Sequence, residues 1–67
     1  MKQLYERFSE IERMMARGHI TLKEGNALMI EAIERTWDGY IPGDGHEVDQ
    51  MKAYHRMYAI LHRMTKA

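Results

Sequence analysis

The chain contains no cysteine, which excludes disulfide staples and thiolate metal sites and is compatible with a reducing compartment. Nowhere does strict apolar and polar alternation run between turn residues, so no strand is predicted. Without a strand there is no strand-to-helix loop to cradle a phosphate. No apolar run approaches the ~18 residues of a membrane span, and Met1-Lys2-Gln3-Leu4-Tyr5-Glu6 lacks the hydrophobic region of a signal peptide. These absences lead to the expectation of a soluble, cytoplasmic protein with no membrane partner. With 67 residues the chain is one domain at most, 1–67. A lone monomer of this size is marginal, because it buries only about 60% of its unfolded surface on folding.

What is present is helical periodicity. Leu4, Phe8, Ile11 and Met15 recur at the i, i+4, i+7, i+11 spacing of one helical face, flanked by Tyr5 and Met14. That spacing predicts a first helix over 2–17. Gly18 follows as a left-handed residue just past the helix end, and Thr21-Leu22-Lys23-Glu24 has the pattern of a capping box. A second helix is therefore expected over 21–37, with Leu22, Met29, Ile30, Ile33 and Trp37 turned inward. Gly25 inside it costs about 1 kcal/mol relative to alanine, for which the usual reason is close approach of another backbone. Tyr40-Ile41-Pro42-Gly43 suits a turn, and Asp44-Gly45-His46-Glu47 offers a second capping pattern. A loop over 38–45, with Tyr40 and Ile41 folding back toward Trp37, and a third helix over 46–65 complete the expected fold, a small all-α three-helix domain.

Helix three has more apolar surface than two neighbours obviously require. Placed at about 100° per residue, Met51, Ala53, Tyr54, Met57, Tyr58, Ile60, Leu61 and Met64 span an arc near ~180°, beyond the ~100° stripe of a surface helix. Helix two shows a second excess, since Leu28 falls on the outer side beside Gly25 and Ala32. Seven methionines suit adaptable contact surfaces, although Met15, Met29 and Met51 are expected to fill the core. Leu28, Ala32, Met57, Ile60 and Met64 are accordingly the expected partner-binding residues.

Charge is balanced overall but segregated. All ten acids lie within residues 1–50, whereas residues 51–67 carry Lys52, Arg56, Arg63 and Lys66, joined by His55 and His62, and no acid. Acids at a helix start and bases at its end both oppose the macrodipole, so much of this pattern needs no partner. The same four cations could meet an anionic partner, because a helix in a major groove needs such a face. Against nucleic acid stand a sequence pI near 6.9 and the acids before the third helix. Glu24, Glu31 and Glu34 also occupy the second helix where a helix-turn-helix would read bases.

Chemistry is poorly supplied. His55 and His62 are seven residues apart, roughly 10 Å along a helix, too far to share one ion. His46 and Asp49 have i, i+3 spacing but would need a further ligand. The stretch from Asp38 to Asp49 fails the calcium-loop template, since Tyr40 and Pro42 occupy early ligand positions. Ser9, Thr36 and Thr65 have no histidine at a spacing that suggests a base. No metal, no cofactor and no catalytic residue is therefore expected.

Arg17-Gly18-His19-Ile20-Thr21-Leu22-Lys23-Glu24 resembles the Gly-x-Ile-Thr-x-x-Glu turn of short helical hairpins of the SHOCT type. The likeness covers about thirty residues and implies the hairpin of the first two helices, with no function attached. Small size, a Met1 start and the lack of catalytic groups are similar to the small accessory proteins of bacteriophages, which often bind and inhibit a host protein. The sequence is thus expected to encode a non-enzymatic interaction module, a regulator or inhibitor docking on a larger protein or on a copy of itself. A nucleic-acid-binding regulator using the basic face of helix three is the alternative.

Overall fold

A computed structural model describes residues 2–37 and 47–66. Three helices, α1 (Lys2–Ala16), α2 (Leu22–Thr36) and α3 (Glu47–Lys66), each pack against the other two, and the described residues contain no strand. The chain is the expected small all-α domain. The loop over 38–45, the capping pattern before Glu47 and the fold-back of Tyr40 and Ile41 lie outside the described residues.

The turn between α1 and α2 forms by local chemistry alone. Gly18 adopts φ +76°, the His19 amide donates to the Met14 carbonyl at 2.9 Å and the Gly18 amide to the Met15 carbonyl at 3.0 Å. Together these bonds form a Schellman motif, which satisfies carbonyls that the helix end would leave unpaired. Three residues later the Glu24 amide donates to the Thr21 hydroxyl at 3.1 Å, while the Thr21 amide donates to the Glu24 carboxylate at 2.9 Å. The capping box expected from Thr21 and Glu24 is therefore present, and α2 starts where it should.

The core collects one stripe from each helix: Leu4, Phe8 and Ile11 from α1, Met29 and Ile33 from α2, Ala53, Met57 and Ile60 from α3. Trp37 closes it at the end of α2. The α1 stripe falls on the predicted face. On α2 the inward face begins later than expected: Leu22, in the first turn, stays exposed, and Ile30 is half-buried. Gly25 is buried, yet what approaches it is the Met15 side chain, whose sulfur would lie 2.2 Å from a β-carbon built at that position. A thioether rather than a backbone occupies the space that glycine leaves.

Candidate interaction surface on the third helix

Only one edge of the wide apolar arc of α3 enters the core. At 100° per residue Ala53, Met57 and Ile60 fall within about 60° of one another, close to the single stripe that two neighbouring helices can cover. Met57 and Ile60, expected on the partner surface, are instead core residues, 0% and 2% exposed. Met64 is half-buried. The wheel identifies which residues are apolar, whereas the tilt and rotation of α3 against the hairpin select the part of the arc that is covered.

The uncovered part is the flank carrying Met51, Tyr54, Tyr58 and Leu61. Met51 and Tyr58 remain 57% and 59% exposed, and Met51 is thereby removed from the core to which its spacing assigned it. Tyr54 and Leu61 are half-buried and pack on the core edge. The rings of Tyr54 and Tyr58 lie 6.4 Å apart and nearly parallel, at 24°, an offset-stacked arrangement that stiffens both side chains. Beside them Glu47, Gln50, Met51 and Tyr54 line an open groove of about 360 Å³. Met51, Tyr54 and Tyr58 follow one another along one flank of the helix, and such a contiguous apolar patch is more informative than a single exposed hydrophobic residue.

The opposite flank of α3 is engaged within the chain. Arg56 lies over the Tyr5 ring of α1, 5.6 Å from its centroid, and Arg63 pairs with Glu12 of α1 at 2.5 Å. Of the four cations assigned to an anionic partner, these two already face groups of α1. Lys52 and Lys66 are left, fourteen positions apart and hence roughly 21 Å along the helix. The basic arc is thus two separated lysines around an intramolecular pair rather than a continuous stripe.

Leu28 and Ala32, expected to face outward on α2, are half-buried. With Leu4, Arg7, Glu31 and Arg35 they line a shallow groove of about 220 Å³ between α1 and α2. Its two arginines are neutralised locally, Arg7 by Glu10 at 2.6 Å and Arg35 by Glu31 at 2.5 Å. Leu28 is therefore part of a groove wall whose rim is charge-balanced, and it packs on the core edge rather than standing free.

Among the described residues no polar or charged side chain is buried, and no three carboxylates or histidines gather as a metal would require. No described helix is long and apolar enough to cross a membrane. No family model matches the chain, and no curated protein or solved structure matches it either. The apolar excess of α3 was legible in the sequence, but Met51 and Tyr58 sit in the same apolar arc as Met57 and Ile60, so which residues stay exposed was not. Ala53, Met57, Ile60 and Met64 repeat at the same heptad-type spacing as Met51, Tyr54, Tyr58 and Leu61, so spacing alone does not separate the two sets.

Proposed function

We propose that the chain is a non-enzymatic protein–protein interaction module, a cytoplasmic regulator or inhibitor that docks on another protein through the Met51, Tyr54, Tyr58 and Leu61 flank of α3. The carrying observation is the exposure of Met51 and Tyr58, 57% and 59%, beside a stacked tyrosine pair. Tyrosine presents a large, stiff contact face with little conformational entropy to lose, and exposed tyrosine pairs are favourable anchors in interfaces. The nucleic-acid alternative rests on Lys52, Arg56, Arg63 and Lys66. It is disfavoured because Arg56 and Arg63 already serve Tyr5 and Glu12, which lowers the charge available to phosphates.

The immobilised chain should retain a protein partner, either a larger one or a tagged second copy, and Tyr58→Asp should release it. Lys52→Glu with Lys66→Glu should leave retention nearly unchanged apart from its salt dependence. Binding that survives Tyr58→Asp but disappears with the two charge reversals would overturn this reading. Retention of the parent on a DNA or RNA column, lost in the reversed protein, would replace it with the alternative.

A further inference from the structure

The exposed flank of α3 is a regular seam that can pack against its own reverse. Glu47, Met51, Tyr54, Tyr58, Leu61 and Thr65 follow one another at i, i+4, i+7, i+11, i+14 and i+18, the alternating four and three spacing of a coiled-coil seam. At 100° per residue all six fall within a strip about 80° wide, set to the side of the core stripe. The seam is also self-complementary when reversed. Met51 and Leu61 stand equally far from position 56 along the helix, as do Tyr54 and Tyr58, and as do Glu47 and Thr65.

We infer that this seam is the interface for a second copy of the same chain, packed antiparallel about a two-fold axis that passes beside position 56. In that arrangement Tyr54 of each copy meets Tyr58 of the other, and Met51 meets Leu61. The two stacked tyrosine pairs form the centre of a four-ring cluster, and the polar Glu47 and Thr65 close both ends. A closed two-fold interface uses the same patch on both copies, which is what a reversible seam provides.

Charge selects the direction. The first turn of α3 carries Glu47 on the seam itself, and its last turn carries Lys66 next to Thr65, whereas Arg63 is turned to Glu12 of α1. Antiparallel packing brings the acidic end of each α3 to the basic end of the other and opposes the two helix dipoles, whereas parallel packing would stack acid on acid and base on base. The opposite flank cannot serve, because Arg56 and Arg63 are directed to α1 there. Four apolar side chains per copy make a small seam beside the ~800 Å² per partner of a standard interface. The expected dimer is therefore reversible, with a micromolar dissociation constant.

The assignment rests on the reading of the chain as an interaction module, and the two can fail separately. Sedimentation of the full chain from about 1 to 100 µM should show a monomer–dimer equilibrium with a melting temperature that rises with concentration. Tyr58→Glu places two unpaired charges in each dimer and should weaken self-association about 100-fold or more, with helicity by circular dichroism unchanged. Met51→Glu should do the same by a second route. Because the chain has no cysteine of its own, direction is read from two single variants, Glu47→Cys and Thr65→Cys. Mixed together they should cross-link to each other, and each alone should not, since like positions are about 27 Å apart in the antiparallel pair. Self-cross-linking of Thr65→Cys alone would overturn the antiparallel geometry. A monomer throughout the concentration range would overturn the second-copy assignment. If that monomer still retained a larger protein and lost it on Tyr58→Glu, the interaction-module reading would stand without the dimer. A monomer that retained nothing would remove both.

Discussion

Along the edge of α3 that faces α1, Arg56 lies on Tyr5 and Arg63 pairs with Glu12, whereas along the other edge Met51 and Tyr58 leave more than half of their surface in water. Both edges are built from large side chains on the same helix, and each is typical of a different environment. The first is an intramolecular seam of weak, salt-sensitive contacts made by two arginines that remain exposed. The second has the composition of an interior without the neighbours. The contrast shows how unevenly one helix of a small chain can be covered: α3 completes the core with one stripe and leaves another apolar stripe largely in water. It also divides a basic arc that looks continuous on a helical wheel, since Arg56 and Arg63 contact α1 groups.

The sharpest way to break this comparison is to exchange the fates of two neighbouring positions. Met57→Ala, on the core stripe and fully buried, should cost about 2–5 kcal/mol and leave little folded protein in a domain this small. Tyr58→Asp, one residue further on, should change the urea midpoint little under conditions where the chain is monomeric, because an exposed side chain contributes little to the core. Equal losses in the two variants would mean that Tyr58 belongs to the core and that α3 has no free flank.

Two smaller effects test the hairpin on which α3 rests. Removing the Thr21 hydroxyl in Thr21→Ala breaks the reciprocal cap with Glu24 and should cost about 1 kcal/mol by urea titration; an unchanged midpoint would mean that the cap contributes nothing to the start of α2. Gly25→Ala should also destabilise, because the new β-carbon meets the Met15 thioether, and the penalty should change sign once Met15 is shortened. In a Met15→Ala background the same substitution is expected to gain up to about 1 kcal/mol from helix propensity. A gain already present in the parent would show that Met15 yields freely and does not explain the glycine.

The smallest effect belongs to the closed edge of α3. Arg63→Gln removes the ion pair with Glu12 between side chains that are largely exposed on the arginine side, so a loss below about 1 kcal/mol is expected, shrinking further in high salt. A loss of several kcal/mol would make that edge a principal clamp between α1 and α3 and would weaken the contrast drawn between the two flanks.

Most of the first two helices could be read from residue order alone. Gly18 at the C-terminal end of α1, the Thr21 and Glu24 box and the Leu4, Phe8, Ile11 stripe are short-range features, fixed by the left-handed freedom of glycine, by reciprocal hydrogen bonds three residues apart and by the period of the helix. The existence of α3 followed from the same periodicity. Its rotation did not, and the burial of Met57 and Ile60, expected on the partner surface, came from there. Met57, Ile60, Met51 and Tyr58 share one apolar arc in the sequence, and nothing local distinguishes those that enter the core from those that stay outside. That division depends on contacts between residues far apart in the chain: Arg56 with Tyr5, Arg63 with Glu12, and Ala53, Met57 and Ile60 against the stripes of α1 and α2. Helical order is a property of neighbours along the backbone, whereas the exposed surface is what remains once helices have covered one another.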